Sequence, residues 1–180
     1  IWDDPKPGNY KHEFWEFTIP EPIDEIGLGF HMKPYQIPHP PIAVAGVSEK
    51  SDTLVMAGER GWIPLSINLV PPRVIKSHWS SIEHGASKYG RIPDRSTWRV
   101  AREIYISDTS SGARKEALEG VISRDFENYF LKSLPMMQML DLMKKDPNMP
   151  DSDVTPEYLV DNIFIVGNTE DVAEKLFSLY

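Results

Sequence analysis

From residue 42 onward, short apolar runs alternate with helical segments, and this alternation limits what the chain can fold into. Residues 42–46 read Ile-Ala-Val-Ala-Gly, the kind of run that fills a strand covered on both faces. A helix is expected over 51–60, stopped by Gly61 in left-handed geometry. A second strand is expected over 62–67. Pro72 suits the first turn of a helix reaching residue 89, with Ile75, Trp79, Ile82 and Ala86 three or four apart and Gly90 at its end. Residues 98–107 read as the third and longest strand. Residues 110–131 read as a long helix with Ala113, Ala117, Val121 and Phe126 near its buried stripe. A brief strand or turn over 163–166 leads to a last helix capped by Asn168 or Thr169. Strand, helix, strand, helix predicts right-handed βαβ units and a parallel sheet, an α/β protein. A closed eightfold barrel takes roughly 250 residues; this chain has 180. On these residues an open doubly wound sheet and part of a barrel both stand.

The leading segment differs. Prolines at 20, 22, 34, 38, 40 and 41 keep it out of helix, with extended candidates over 13–19 and 27–33. The chain is read as one partial domain over 1–180. Its parts are a Pro/aromatic-rich hairpin region (1–41), three βα units (42–131), a methionine-rich lid-like insertion (132–160) and a terminal helix unit (161–180). The opening Ile1-Trp2-Asp3-Asp4-Pro5 reads like the middle of a longer sequence.

Composition narrows the function. The net charge of −8 repels polyanions and anionic membranes, so no nucleic-acid or membrane partner is expected. The absence of cysteine excludes disulfides, thiolate metal sites and thiol catalysis, and fits a cytoplasmic location. No apolar run approaches the roughly 20 residues of a membrane span. His12, His31, His39, His78 and His84 show no metal spacing and read as structural or surface residues, so no metal site is expected. There is no G-x-S-x-G elbow, Walker loop or G-x-G-x-x-G, and no carboxylate pair stands out.

One junction carries chemistry. The apolar run 42–45 passes into Gly46-Val47-Ser48-Glu49-Lys50-Ser51, where a helix begins. Ligand sites in α/β proteins form at the carboxyl ends of parallel strands. The free amides of the helix start, with the hydroxyls of Ser48 and Ser51, could hold a phosphate, and Gly46 removes a side chain from the approach. Equally, Ser48 or Ser51 could simply cap the helix.

The run from Lys33 through Ser48 and the run Ala57-Gly-Glu-Arg-Gly-Trp-Ile-Pro-Leu-Ser66 resemble the bacterial luciferase-like flavin-dependent monooxygenases, especially the limonene- or alkanal-type branch. Gly85-Ala-Ser-Lys-Tyr-Gly-Arg91, Asp94–Val100, Ile104-Tyr-Ile-Ser-Asp-Thr109 and Ile165-Val-Gly-Asn-Thr-Glu-Asp-Val172 follow in the family's order. The resemblance implies the carboxyl-terminal portion of a (β/α)8 TIM barrel, incomplete in this chain, that binds reduced flavin mononucleotide (FMN). Ser48 and Ser51 match a serine and a threonine, three apart, that contact the flavin phosphate in luciferase. Val47 stands where luciferase has an acidic residue. Ser66 and Asn68 are expected to face the flavin ring pocket.

The family's first four strands, its histidine and phosphate-pairing arginine, and its last strand and helix have no counterpart here. Catalytic residues are therefore expected outside this chain, and the chain by itself is expected to be inactive. The implied activity is insertion of one oxygen atom from dioxygen into a hydrophobic organic substrate, with reduced FMN supplied by a separate flavin reductase. A deazaflavin-dependent oxidoreductase on the same barrel and a non-catalytic flavin-binding or assembly subunit are the alternatives. Homo-oligomerisation or a complementing chain is expected. Met136, Met137, Met139, Met143 and Met149 lie where the family has its active-site lid, and read either as that lid or as adaptable packing.

Overall fold

Residues 8–11 lack an apolar run, yet they form a strand because of what lies opposite them. β1 (Gly8–Lys11) pairs antiparallel with β2 (Glu16–Ile19), Tyr10 facing Phe17 and Asn9 facing Thr18. The two rings stack at 5.2 Å, and Thr18 Oγ1 donates to Asn9 Oδ1 at 2.6 Å. Such cross-strand pairs are what hold a short hairpin together. The computed structural model describes residues 6–29 and 34–179, so part of the extended candidate at 27–33 lies outside the described residues. The chain divides into two compact units, Ile1–Ile42 and Ala43–Tyr180. The hairpin belongs to the first, together with a 3-10 turn over Asp24–Ile26 in the stretch expected to stay out of helix; the remaining elements belong to the second.

The second unit is a succession of parallel βα units. β3 (Ala43–Gly46), α1 (Asp52–Arg60), β4 (Ile63–Ser66) and α2 (Pro72–Ser87) fall within a residue or two of the sequence expectation. Gly61 takes φ 69° and stops α1 as expected. β3 and β4 are parallel, with Ala43 beside Ile63 and Gly46 beside Ser66. The expected long strand over 98–107 is two strands with different neighbours. β5 (Arg99–Val100) lies beside β4, and β6 (Ile104–Ile106) lies beside β7 (Ile165–Gly167), both parallel. Ala101 N still bonds Ser66 O at 2.9 Å, whereas Ile165 N bonds Glu103 O at 2.9 Å. The run changes partner at residues 101–103. There Arg102 reaches across to the carbonyls of Ile67, Asn68 and Val70.

The helix expected over 110–131 breaks at Gly120, which is extended at φ −89°, ψ −169°. α3 (Ser110–Glu119) is capped by Thr109 Oγ1, accepting from Gly112 N. α4 (Val121–Asp125) then starts in a new direction and runs through a π-helical turn (Phe126–Phe130) into α5 (Leu131–Met136). Ala113, Ala117 and Phe126 are buried, but Val121 is 61% exposed, because the break removes it from the stripe that a continuous helix would have kept. The methionine-rich stretch carries two 3-10 turns, Leu140–Met143 and Asp151–Asp153, rather than a featureless loop. Met143 is fully buried in one core with Leu134, Leu159 and Phe164, while Met136 and Met137 are exposed. α6 (Pro156–Asn162), with Thr155 as its cap, was not expected from periodicity; α7 (Thr169–Ser178) is capped by Asn168 as expected.

The strands of this unit form two sheets, β3–β4–β5 and β6–β7. Val100, in register with Ser66, is partly exposed, as are Ile104 and Ile106 of the second sheet. In the first sheet Gly46 and Ser66 are buried on the helix side, while Ala43 and Ala45 on the opposite face are exposed. The sequence run at 42–46 suggested burial on both faces; here the other face is open.

Candidate functional site

Two strand ends and two helices build the site. β3 ends at Gly46, where a Cβ would strike the side chain of Leu54, itself fully buried. The missing side chain therefore makes room for α1 to pack on the strand. Val47 is half-buried and Ser48 is exposed. Lys50 adopts φ 53°, a left-handed turn that swings the chain into α1.

Ser51 occupies the N-cap position of α1 but makes no side-chain capping bond. It is buried, and its hydroxyl lies 2.9 Å from that of Thr53. Thr53 Oγ1 donates to Ala45 O at 2.6 Å, so the hydrogen between the two hydroxyls comes from Ser51. Among the two serines, Ser48 is thus the one with an open hydroxyl, and the amino end of α1 is left without a cap from Ser51. Thr53 escaped the sequence reading, although its hydroxyl sits two residues after Ser51 at a helix start, where such side chains regularly turn back to the backbone. Glu49 pairs with Arg73 at the start of α2, which offsets its negative charge, and Arg73 Nε is buried without a partner.

His78 joins the two strand ends. It lies fully buried on the sheet-facing side of α2, with Nδ1 2.8 Å from Ser66 Oγ and Nε2 3.0 Å from Ser48 O. A carbonyl only accepts, so Nε2 carries the hydrogen and Nδ1 accepts from Ser66. Trp98 Nε1 donates to Ser66 Oγ at 3.0 Å and completes a directional chain. Burial holds the imidazole below the ordinary histidine value near 6.5; the Ser48 carbonyl pulls upward, and the Arg102 charge pushes further down. The sequence signal was available: Ile75, His78 and Ile82 recur at helical spacing on one stripe.

Ser66 is therefore wholly enclosed, its hydroxyl shared between His78 and Trp98. Asn68 Nδ2 donates to Glu103, whose second oxygen is buried and unpartnered. Burial pushes the Glu103 carboxyl above the usual range, against the Asn68 bond and the Arg102 charge. Ser48 and Ser66 meet through His78, whereas Asn68 belongs to a separate Arg102–Glu103 group. Among the described residues there is no cluster of three or more potential metal ligands, and no helix is long and apolar enough to cross a membrane.

With this geometry in place, comparison with known proteins adds relatives. The family profile described as Luciferase-like monooxygenase matches residues 1–180. The chain is 32% identical over 180 residues to the 3,6-diketocamphane 1,6-monooxygenase of Pseudomonas putida, covering 97% of this chain and 47% of that protein. It is 30% identical over 137 residues to the 2,5-diketocamphane 1,2-monooxygenase 2 of the same organism, covering 75% and 38%. Among solved structures, the oxygenating constituent of 3,6-diketocamphane monooxygenase from the CAM plasmid of Pseudomonas putida, a type II Baeyer–Villiger monooxygenase in complex with FMN, matches with a TM-score of 0.75 at 33% identity. It covers 97% of this chain and 48% of that one. Monooxygenase RslO1 from Streptomyces bottropensis, at 16% identity and a TM-score of 0.63 over 99% of this chain and 46% of its own, shares the fold. The chain spans about half the length of the relatives it matches.

Proposed function

This chain belongs to the luciferase-like monooxygenase family, its fold is a portion of that family's (β/α)8 barrel, and on that premise we propose that it supplies the phosphate end of an FMN site in a flavin-dependent monooxygenase. The observation that carries the reading is the junction between β3 and α1, where Ser48 is open and Ser51 stands at the N-cap without capping.

The donor set fits a phosphate. Ser48 Oγ donates one hydrogen bond, and the first-turn amides of α1 add the partial positive charge of a helix start. Arg73 neutralises Glu49 beside them, while Asp52 in the first turn opposes an anion. Ser51 contributes by redirecting its hydrogen from Thr53 to the phosphate. Gly46 and Val47 form the backbone that brings this loop to the strand end. Ser66, expected to face the flavin ring, is instead enclosed and reaches the phosphate loop through His78, while Asn68 bonds Glu103.

Bound reduced FMN supplies the electrons with which dioxygen delivers one oxygen atom to an organic substrate. The chain's own part is to orient the cofactor and keep water away. Exposed apolar strand residues, Ala43 and Ala45 on β3 with Ile104 and Ile106 on β6, offer the dry wall for that task. The names of the Pseudomonas relatives point to a hydrophobic ketone as substrate and oxygen insertion beside its carbonyl as the reaction. A separate reductase delivers the reduced flavin. Catalytic side chains come from outside these residues.

Dioxygen uptake by the full protein, given reduced FMN or a reduced deazaflavin coenzyme, tests this reading. Uptake coupled to an oxygenated product is expected with FMN and none with deazaflavin. Substrate reduction by deazaflavin without dioxygen would overturn it in favour of hydride transfer.

A further inference from the structure

The chain from Trp98 through Ser66 to His78 ends on a main-chain atom, Ser48 O, which lies in the loop after β3. A buried imidazole that spends its only N–H on a loop carbonyl constrains that loop. The peptide between Ser48 and Glu49 is trans, so its C=O and N–H point in opposite directions. With the oxygen held on His78, the Glu49 amide faces away from the buried imidazole. Ser48, one bond earlier, has an exposed side chain.

We infer that His78 is the positioning residue of the flavin-phosphate loop: through Nε2 it fixes the Ser48–Glu49 peptide, and so the direction of the Ser48 hydroxyl and the Glu49 amide. This rests on the phosphate reading of the β3–α1 junction. Ser66 sets the tautomer that makes the grip possible. Its O–H occupies Nδ1 as a donor, which forces the imidazole hydrogen onto Nε2, toward Ser48. Trp98 in turn occupies a lone pair of Ser66 Oγ, so the serine hydrogen has the imidazole as its outlet. The loop geometry is therefore set from three elements: α2, the end of β4 and the residue before β5. None of these side chains need touch the cofactor.

The test separates position from bulk. Glutamine places an amide N–H near where Nε2 lies, whereas asparagine is too short to reach Ser48 and keeps only the Nδ1 side. FMN and riboflavin affinities are measured by fluorescence titration on the full protein. The samples are wild type, His78→Gln, His78→Asn and the pair Ser48→Ala with Ser51→Ala. His78→Asn is expected to weaken FMN about tenfold, the scale of one hydrogen bond to a charged ligand, with riboflavin within about twofold. His78→Gln is expected to restore most of the FMN affinity. Unchanged FMN affinity in His78→Asn, equal loss in both His78 variants, or riboflavin falling in step would overturn the inference.

The serine pair tells the two ideas apart. If it leaves FMN affinity unchanged, the phosphate reading fails and the positioning role falls with it. If it weakens FMN while His78→Asn does not, the positioning role alone fails. Should His78→Asn not fold, Ser66→Ala decides, since it keeps the imidazole but frees its tautomer. Selective loss of FMN affinity supports the inference, and no loss overturns it.

Discussion

Gly58 on α1 and Gly85 on α2 each press against the other helix's backbone. A Cβ on Gly58 would run into Ile82 O, and one on Gly85 would run into Val55 O. Two helices can come this close only where both lack side chains. Backbone atoms cannot swing aside as a flexible side chain would, so an added methyl must separate the helices. Gly58→Ala or Gly85→Ala is expected to destabilise by about 3 kcal/mol, the upper end for overpacking. Denaturant unfolding checks this; a change within about 0.5 kcal/mol, as at an ordinary surface position, would show that the helices can part freely.

Glu103 and His78 give opposite pH signatures. The Glu103 carboxyl is raised by burial, with Asn68 and Arg102 beside it, so the folded state holds its proton more tightly than the unfolded chain does. Its contribution is fully present below the ordinary value of 4.5 and is lost as pH rises through the raised folded value. Glu103→Gln should therefore flatten the stability profile on the alkaline side of 4.5. The lowered imidazole of His78 behaves in reverse: its contribution is complete above 6.5 and is lost as pH falls toward the folded value. His78→Gln should flatten the profile on the acid side of 6.5. Unfolding measured from pH 4 to 9 decides; profiles parallel to wild type in both variants would contradict the assignment.

The α/β alternation was legible because its signals are local: Pro72 at a helix start, Gly61 at a stop, Asn168 at a cap. The partner change at residues 101–103 was not, because it depends on which strands lie on each side. α6 escaped because its seven residues are too short to show a period. At the site, the junction at Ser48 and Ser51 could be found from residue types and order. The role of His78 could not, since its partners lie 12 and 30 residues away. Histidine on an apolar stripe says that it is buried, not what it holds.

The methionine-rich stretch divides into a fixed part and a loose part. Lys144 Nζ, buried, bonds Asp141 at 2.7 Å and Asp151 at 2.6 Å, tying together the two 3-10 turns. Tyr158 Oη also accepts from Lys145 N at 2.6 Å. Met136, Met137 and Gln138, the last at φ 56°, have no such anchorage in the core. Limited proteolysis is expected to cut first at 136–138 and, in Lys144→Met, to spread into 140–153, with reduced flavin protecting the segment. First cleavage within 140–144 of the unmodified protein would contradict this division.

Exposed apolar strand surface predicts association. Ile104 and Ile106 on β6 are 44% and 54% exposed, and Ala43 and Ala45 lie exposed on β3. Such surface is normally covered by another chain or by further strands. These 180 residues alone should sediment as an assembly, and Ile104→Glu with Ile106→Glu should shift them toward monomer. A stable monomer before any substitution would count against the expectation.

The central claim is that the β3–α1 junction holds a flavin phosphate, and comparing FMN with riboflavin addresses it most directly. The two ligands share the ring and the ribityl chain and differ in the phosphate. In the full protein, Ser48→Ala with Ser51→Ala should weaken FMN by about 1–3 kcal/mol, the range for hydrogen bonds to a charged group. Ser48 should account for the larger share, because Ser51 already donates to Thr53. Riboflavin should bind the variant and the unmodified protein alike. Equal loss for both ligands, or no loss for either, would mean that the two serines only shape the turn into α1 and that the phosphate lies elsewhere.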